Sequence, residues 1–450
     1  MSIKLKRGFD INLAGKAKAE LGEAIHPETY TFQPTDFIGN NRPKVMVKAG
    51  DVVKAGTPIF FDKLNDQVKY TAPVSGTVAE VVRGDKRKPM GIKITADRDI
   101  QYEEFTKYDS SQLSGLSRDQ IIEQITNSGV WPNIIERPFG IIANPSNTPK
   151  AIFISGFDSS PLAPDYDFVF QGQEKYLQAG IDILGNLTSG AVHLSTEAGV
   201  ASIFNNLNGI IKHEFKGKHP AGNVGVQIHH IDPINKGDIV WTTTPYGLQQ
   251  IGRLFLDGRY DASKIIAVAG SEVQNPKYFN TRVGASIKEF LDGNLKQDNV
   301  RVISGNVLTG EKVSKDSSVG YYNNVISIIP EGDQYEFLGW ITPGKNKLSI
   351  HRALGLFSFL SPKKEYALNT NMRGEDRAFV QTGVFERVLP MDILPVYLLK
   401  AIMARDYEEM EALGIYEVIE EDLALCEFID VSKTEVQAIL REGIEALQEA

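Results

Sequence analysis

The first hundred residues alternate between apolar and polar positions in short runs that glycine and proline separate. The period of two appears in KVMVKAGDVVKAGTPIFFDK, VKYTAPVSGTVAEVVRG and GIKITAD, with Gly50, Asp51 and Gly56 at turns. Alternation over four to eight residues is typical of strands that bury one face. The pattern therefore predicts a small β-sandwich over residues 1–104.

From residue 105 to 255 helical spacing alternates with short apolar runs. Ser117 and Gln120 have the spacing of a capping box in front of IIEQI, and helices are predicted at EKYLQAGIDILGNL and YGLQQIGRLFL. Strands are predicted at KAIFISGF, DFVFQG, AVHLS and GDIVWTT. Strands that alternate with helices predict a Rossmann-like domain, in which a parallel sheet is the middle of three layers.

Residues 256–365 return to short β-rich segments such as KIIAVAGSEV, VRVISGNVL and NVISIIPEG. Helical signals follow beyond residue 385, so residues 366–450 are predicted to be a helical C-terminal region. Ser432 and Glu435 have the spacing of a second capping box. One face of the predicted last helix is apolar, with Val436, Ile439, Leu440, Ile444 and Leu447.

The composition of the 450 residues, 42% hydrophobic and 23% charged, is that of an ordinary globular protein. The single cysteine, Cys426, excludes an intrachain disulfide, a Cys-ligated iron–sulfur cluster and a four-cysteine zinc site. No uninterrupted apolar run approaches the ~18 residues of a membrane span, and the N-terminus has no apolar core of signal-peptide length. We expect a soluble, cytoplasmic protein without a membrane span.

The net charge of −9 is distributed unevenly along the chain. Residues 401–450 carry 14 acidic and 3 basic side chains, whereas residues 1–100 carry 17 basic and 12 acidic ones. Such unlike ends suit docking between unlike surfaces, although a solvated helical face is the simpler interpretation of the acidic end. No basic helix or basic–aromatic stripe is present, which disfavours nucleic acid as a partner.

Known catalytic and phosphate-binding motifs are missing from the sequence. No two glycines stand two residues apart, which excludes the Gly-x-Gly-x-x-Gly fingerprint of dinucleotide-binding folds, and Gly-x-Ser-x-Gly and His-Glu-x-x-His are absent as well. Four histidines share one stretch: His213, His219, His229 and His230. His229 and His230 are expected on opposite sides of a strand, so a loop-lining or core role is favoured over a metal site.

The segment VKAGDVVKAGTPIFFDKLNDQVKYTAPVSGTV resembles biotinyl and lipoyl carrier domains. In those carriers the modified lysine stands at a hairpin tip, eleven residues before the last glycine of the motif. Counting back from Gly76 gives Asn65, and an amide nitrogen is a poor acyl acceptor. The resemblance implies a barrel-sandwich module without its attachment lysine, which we expect to stay unmodified.

Several further stretches resemble the NqrA family, whose members are subunits of the bacterial Na+-translocating NADH:quinone reductases. They include SGVWPNIIERPFG, FDSSPLAPDYDFVF, HPAGNVGVQIHHIDP, VISGNVLTG, VFERVLPMDILPVYLLKAI and EEDLALCEFI. With the N-terminal module the resemblance covers nearly the whole chain. It implies a barrel-sandwich hybrid at 1–104, a Rossmann-like domain at 105–255, a β-grasp domain of the SLBB type at 256–365, and a helical end at 366–450.

The resemblance also implies a place in a six-subunit respiratory complex at the cytoplasmic face of the bacterial inner membrane. This chain is then a peripheral subunit that binds no cofactor and supports the reduction of quinone to quinol, coupled to Na+ export. Its chief partner is the membrane subunit NqrB. NADH, FAD, FMN, riboflavin, an iron–sulfur cluster, quinone and Na+ are expected on other subunits.

Three residues are candidates for contact with quinone or a partner because of their positions in the family stretches: Arg137, Phe139 and His219. Arg137 and His219 could equally be hydrogen-bonding anchors of loops. Two alternative functions stay open, a scaffold that assembles other proteins without a ligand, and an independent nucleotide- or flavin-binding enzyme. Nothing in the sequence indicates a self-sufficient catalytic site or a metal site.

Overall fold

The computed structural model describes residues 2–334, 336–339, 341–344, 346–350, 355, 360–361, 363–380 and 383–449. The strands in these ranges are β1 (Ser2–Lys4), β2 (Thr29–Phe32), β3 (Pro43–Val45), β4 (Val52–Val53), β5 (Pro58–Asp62), β6 (Asn65–Thr71), β7 (Gly76–Arg83), β8 (Pro89–Ala96), β9 (Ile135–Arg137), β10 (Ile141–Ile142), β11 (Ala151–Ser155), β12 (Val192–Glu197), β13 (Ile211–Lys216), β14 (Val240–Thr243), β15 (Ser263–Ala269), β16 (Lys277–Arg282), β17 (Val300–Ser304), β18 (Glu311–Val313) and β19 (Val325–Pro330). The α-helices are α1 (Arg118–Ser128), α2 (Tyr166–Val169), α3 (Glu174–Gly185), α4 (Val224–Ile231), α5 (Pro245–Asp257), α6 (Lys288–Leu291), α7 (Pro395–Ala404), α8 (Tyr407–Ala412), α9 (Glu420–Ile429) and α10 (Val436–Glu449).

A seven-stranded sheet in the order β1-β13-β12-β11-β14-β9-β10 forms the centre of the Rossmann-like domain. The first five strands are parallel, whereas β9 is antiparallel to β14 and β10 is antiparallel to β9. After β11 the chain adds β12 and β13 on one side and then returns to add β14 on the other. The strand order therefore reverses between β11 and β14, which is where open α/β sheets bind their ligands.

Helices cover both faces of this sheet, which confirms the predicted three layers. Ile152 and Ile154 of β11 belong to the main core together with Leu248 of α5, whereas Phe153 packs with Ile228 of α4 in a second cluster. Because both faces are buried, β11 is an unbroken apolar run in the sequence.

The ends and the packing of the helices follow from specific side chains. The predicted capping box is present, since the Ser117 side chain accepts from Gln120 N and the Gln120 side chain accepts from Ser117 N. Helices α3 and α5 approach so closely that a Cβ added at Gly252 would lie 1.9 Å from the carbonyl oxygen of Tyr176. Only glycine fits at this position.

The N-terminal module consists of two small sheets, in the orders β2-β8-β7-β4 and β3-β5-β6. The rings of Phe60 and Tyr70 stack in its core, with centroids 4.4 Å apart. Strands β5 and β6 form the carrier-like hairpin, and Asn65 opens β6 opposite Asp62. The module therefore keeps the carrier scaffold, with an amide at the hairpin tip.

The first strand of the chain, β1, is not part of this module. It belongs to the central sheet, where it pairs with β13. The chain that follows runs across three other parts of the molecule: Phe9 N donates to His219 O, Ala14 N to Tyr366 O and Gly22 N to Tyr278 O. The interval 1–104 thus includes a strand of the α/β sheet in addition to the sandwich. The limits of the four predicted domains stay predictions.

A five-stranded sheet has the order β16-β15-β19-β17-β18, and β15 and β19 are its parallel pair. Helices α7 to α10 form the C-terminal region. Val436, Leu440 and Ile444 of α10 are buried, as the apolar face predicted.

The prediction of a strand at DFVFQG is wrong, because Tyr166–Val169 is helical. The side chain of Asp165 accepts from the backbone N–H groups of Asp167 and Phe168 and thereby caps a first helical turn. An N-cap aspartate fixes a helix start even where the following residues have high strand propensity.

The second predicted capping box is also wrong. The Ser432 hydroxyl donates to Ala378 O, and α10 begins only at Val436. The backbone N–H of Gln437, in the first turn of α10, instead donates to the carboxylate of Glu427 in the preceding helix. A cap supplied from another helix has no local sequence signal.

Candidate functional site

A cavity of about 250 Å³ opens where β11 and β14 end, at the reversal of strand order. Ser155 and Thr243, the last residues of these strands, line it, and Gly222 to Val224 at the start of α4 form another wall. The C-terminal region adds Ile419 and Glu421. The cavity thus lies at the junction of the α/β sheet, the five-stranded sheet and the C-terminal helices, the kind of place where ligand sites occur.

Arg137 connects the cavity to the C-terminal region. It ends β9, and its side chain is 1% exposed. Its Nη2 lies 2.9 Å from Glu421 Oε1 and its Nη1 lies 3.1 Å from Asp422 Oδ2. One guanidinium therefore faces two carboxyl groups that belong to a helix 284 residues further along the chain.

Asp422 anchors this cluster inside the protein. Its Oδ2 also accepts from Ile419 N at 3.1 Å, whereas its Oδ1 has no hydrogen-bond partner among the described residues. A Cβ added at Gly225 would lie 2.4 Å from Oδ2 of Asp422, so α4 can approach only with glycine there. The side chain of Asp422 is completely buried and does not reach the cavity surface.

Glu421 is the member of the cluster that faces the cavity, and its side chain is 39% exposed there. Its depth in the molecule and the neighbouring charge of Asp422 raise its pKa to about 7, and Arg137 acts in the opposite direction. This shift makes Glu421 a candidate for proton exchange near neutral pH at the cavity wall.

His219 lines the same cavity and is 4% exposed. Its Nδ1 is 3.0 Å from the hydroxyl of Ser159, and its backbone N–H donates to Asp10. Burial lowers the pKa of His219 to about 4, so the ring is neutral at physiological pH. A neutral imidazole offers a hydrogen bond without adding a charge.

The remaining walls combine apolar surface with hydroxyl groups. Ile135, Phe157 and Leu308 provide apolar surface. Burial raises the pKa of Tyr166, whose phenol therefore keeps its proton. Thr243 is buried, and its hydroxyl has no partner within the described part of the chain. Buried polar atoms normally have partners, so this hydroxyl is an unsatisfied group next to the cavity.

Two of the three candidate residues from the sequence, Arg137 and His219, thus meet at one cavity. Phe139 does not line it, and its carbonyl oxygen accepts from Arg441 Nη1 of α10 at 2.9 Å. Phe139 therefore belongs to the contact with the C-terminal helices.

The prediction that His229 and His230 flank a strand is wrong, because both lie in α4. His229 Nδ1 is 2.7 Å from Glu417 Oε2, and His230 Nε2 is 2.8 Å from Pro390 O. The two rings thus fasten the C-terminal region to α4. Within the ranges that the structure describes, no group of three or more His, Cys, Asp or Glu side chains could hold a metal ion.

Glu421, Asp422, Tyr166 and Thr243 were missed as site residues in the sequence. The two acids stand in EEDLALCEFI, a stretch that resembles the family, but an acidic first turn is normal for a solvated helix. Thr243 ends β14, one of the two strands at which the order reverses, and Tyr166 begins α2, the helix that follows the other strand, β11. Knowledge of the strand order would have identified them.

Three family models match the chain: the NqrA N-terminal barrel-sandwich hybrid domain at residues 3–97, the NqrA second alpha/beta domain at 116–260, and the NQRA C-terminal (SLBB) domain at 265–315. Curated NqrA subunits of Na(+)-translocating NADH-quinone reductase match over 99% of both chains. Those of Hahella chejuensis and of Yersinia pestis biovar Antiqua are 37% identical, and that of Alcanivorax borkumensis is 35% identical. The chain belongs to the NqrA family of Na+-translocating NADH-quinone reductase subunits.

Two solved structures of NAD+-reducing [NiFe]-hydrogenase also match the chain at 10% identity. The match to the H2-reduced form covers 49% of this chain and 48% of the hydrogenase chain, with a TM-score of 0.36. The match to the air-oxidised form covers 78% of this chain and 67% of the hydrogenase chain, with a TM-score of 0.39. A likeness this weak has no bearing on the site.

The family models confirm the predicted barrel-sandwich, α/β and SLBB architecture of this NqrA-family chain. None of the helices in the described ranges is both long enough and apolar enough to span a membrane.

Proposed function

We propose that this chain is a peripheral subunit of a Na+-translocating NADH:quinone reductase and supports the reduction of quinone without a cofactor of its own. The proposal places it at the cytoplasmic face of the bacterial inner membrane, beside the membrane subunit NqrB. The names of its relatives support membership in such a complex. The single, buried cysteine supports the absence of an iron–sulfur cluster in this chain.

We further propose that the cavity contacts the quinone head group. A quinone has two carbonyl oxygens that accept hydrogen bonds, on a flat apolar ring. The cavity offers donors at Arg137 and Tyr166, and neutral His219, between apolar walls. Arg137 Nε is a buried donor without a partner in the described residues, and a quinone oxygen would satisfy it.

Reduction of a quinone to a quinol takes up two electrons and two protons. The electrons would come from redox centres on other subunits of the complex. A proton could come from Glu421, because this carboxyl group titrates near pH 7 and faces the cavity. The observation that best supports the proposal is the carboxyl group of Glu421 at the cavity wall, paired with Arg137, whose buried Nε–H has no partner in the described residues.

The test of the role is a complex assembled without this chain and measured twice. NADH oxidation is followed first with an artificial electron acceptor and then with quinone and Na+. We expect the first activity to persist and quinone reduction to fail. Equal loss of both would favour the assembly scaffold, and full retention of quinone reduction would contradict the proposal.

The test of the cavity is photo-cross-linking of an azido-quinone to the whole complex. The label should map to peptides that contain Arg137 or Glu421, and excess quinone should compete with it. Thr243→Val should reduce the labelling several-fold, because it removes a hydroxyl at the cavity wall and keeps the side chain's shape. Thr77→Val, on an exposed strand of the N-terminal module, is the matched control. Labelling confined to other subunits would contradict a quinone contact here.

A further inference from the structure

Helix α7 packs on the C-terminal region through one side only. Val396, Leu398, Leu399 and Ile402 are buried. The contact with α10 is close, since a Cβ added at Gly443 would lie 2.7 Å from the Ile402 side chain. The orientation of α7 is therefore fixed, and so is the set of side chains that it presents outward.

The outward side of α7 is unusually apolar. Leu394, Tyr397 and Met403 are 50%, 52% and 60% exposed, and Tyr407 at the start of α8 is 41% exposed. Lys400 is the charged residue among them, and its Nζ lies 5.9 Å from the centroid of the Phe379 ring. We call these five residues, 394, 397, 400, 403 and 407, the α7 face. The outer side of a surface helix is normally polar, whereas exposed Tyr, Met and Leu side by side are typical of a contact surface.

Acidic residues border the α7 face. Asp392 precedes it, and Asp406, Glu408 and Glu409 follow it, all of them exposed, together with one exposed cation, Arg405. They belong to the chain end in which residues 401–450 carry 14 acidic and 3 basic side chains. The field around the face is therefore negative.

This charge decides between three kinds of occupant. An anionic lipid surface would be repelled by the acidic border. A second copy of the chain would bring two identical acidic borders together, because a two-fold interface apposes like with like. A polypeptide segment with apolar and basic side chains would satisfy both the face and its border.

We propose that the α7 face is the docking surface for an amphipathic basic segment of another protein of the complex. The proposal rests on the proposed place of this chain in a multisubunit complex, and it identifies the surface that attaches the chain. Apolar side chains of the partner pack on Tyr397 and Met403, and its lysines or arginines pair with Glu408 and Glu409.

The test uses membranes from cells that hold the other subunits and lack this chain. Purified full-length chain is added, and the bound fraction is measured by co-sedimentation over a concentration range. We expect Tyr397→Ser with Met403→Ser to weaken binding at least ten-fold. Glu408→Gln with Glu409→Gln should weaken it several-fold and reduce its dependence on salt.

The matched control is Leu64→Ser with Met46→Ser, which removes two side chains of similar exposure from the N-terminal module. These changes should leave binding unaffected, and thermal denaturation should show that every variant folds. Two further arms use protein-free phosphatidylglycerol vesicles and sedimentation velocity of the chain alone. Binding to the vesicles or dimerisation that depends on Tyr397 and Met403 would assign the face to lipid or to a second copy and overturn the proposal.

The outcomes separate this proposal from the proposed function. If the wild-type chain and the α7-face variants bound the membranes equally well, the proposed docking surface would be wrong. The proposed membership in the complex would be unaffected. Failure of the wild-type chain to bind at all would overturn both.

Discussion

Two charge clusters at domain junctions differ in ways that separate a structural role from a functional one. In the first cluster Lys264 and Asp36 are joined by the backbone of Tyr321, whose N–H donates to Asp36 Oδ2 and whose carbonyl accepts from Lys264 Nζ. In the second cluster Arg137 faces Glu421 and Asp422. The first has one basic and one acidic side chain, whereas the second has one guanidinium for two carboxyl groups.

The two clusters also differ in how completely their polar atoms are hydrogen-bonded. Lys264 Nζ donates to two backbone carbonyls, those of Tyr321 at 2.7 Å and Asn323 at 2.8 Å. At Arg137 and Asp422, by contrast, Nε and Oδ1 have no partner among the described residues, and Glu421 reaches the cavity. A satisfied and balanced cluster fixes how domains pack. An unbalanced cluster with unpaired atoms at a cavity is suited to bind a ligand or exchange a proton.

The largest expected effect follows from removing the cation of the satisfied cluster. Lys264→Met leaves two buried carbonyl oxygens without a donor and removes the positive charge that favours ionised Asp36. We expect the free energy of unfolding to fall by about 3 kcal/mol, because two carbonyl oxygens lose their hydrogen-bond donor inside the protein. Urea denaturation followed by tryptophan fluorescence measures this change.

Lys212→Met is the control for that substitution. Lys212 also donates to a backbone carbonyl, that of Asn205, but from an exposed position. Its replacement should change the free energy of unfolding by less than about 0.5 kcal/mol. Equal midpoints for Lys264→Met and wild type would show that the first cluster does not hold the junction.

Local patterns in the sequence predicted some elements of the structure and missed others. The strands at AIFIS and VRVIS and the helix after Ser117 follow from local patterns and were found where predicted. The helix at Tyr166 was missed, because an Asp165 cap overrides an apolar run. Local rules thus predicted most elements and failed where a side chain capped a backbone turn that the pattern did not anticipate.

The candidate site was only half predictable for a physical reason. Arg137 and His219 were candidates because they stand in family stretches, and no local pattern links them to each other or to Glu421. The cavity exists because three separate parts of the chain fold against one another, and Arg137 meets its carboxyl groups across 284 residues. Such a contact depends on tertiary packing, which spacing along the sequence does not encode.

A smaller effect is expected from Arg137→Met, because water in the cavity can solvate part of the charge left behind. The variant leaves Glu421 and Asp422 without their cation, and we expect the free energy of unfolding at pH 8 to fall by about 2 kcal/mol. At pH 5.5 the loss should be smaller, since a protonated carboxyl group needs no counter-charge. Urea midpoints at the two pH values test this.

Arg118→Met is the matched control for Arg137→Met. Arg118 is partly buried, whereas Arg137 is fully buried, and Arg118 donates to the carbonyl oxygens of Pro145 and Asn147 without a carboxylate partner among the described residues. Its replacement should therefore cost the same stability at both pH values. If Arg137→Met behaved in the same way, the carboxyl groups would not be the reason for its effect.

The smallest and most specific effect concerns Glu421, whose pKa burial and the charge of Asp422 raise to about 7. In the unfolded chain a glutamate titrates near 4.3, so the folded protein binds this proton more tightly. The resulting stability is fully present below about pH 4.3 and is lost as the pH rises through about 7. Glu421→Gln cannot lose a proton. Relative to this variant, the wild type should therefore lose stability between about pH 5 and pH 8.

The size of this loss is limited, because the Glu421 side chain is 39% exposed to cavity water. We expect about 1 kcal/mol after allowing for this screening. Urea midpoints of wild type and Glu421→Gln at four pH values from 5.5 to 8.5 measure the difference. Titrations that both proteins share cancel in it, including that of Asp36, whose pKa burial raises to about 7. Glu445→Gln, on the exposed side of α10, should follow the wild type at every pH. If the Glu421→Gln curve also ran parallel to the wild type, Glu421 would not exchange a proton near neutral pH, and the cavity would lose its proposed proton donor.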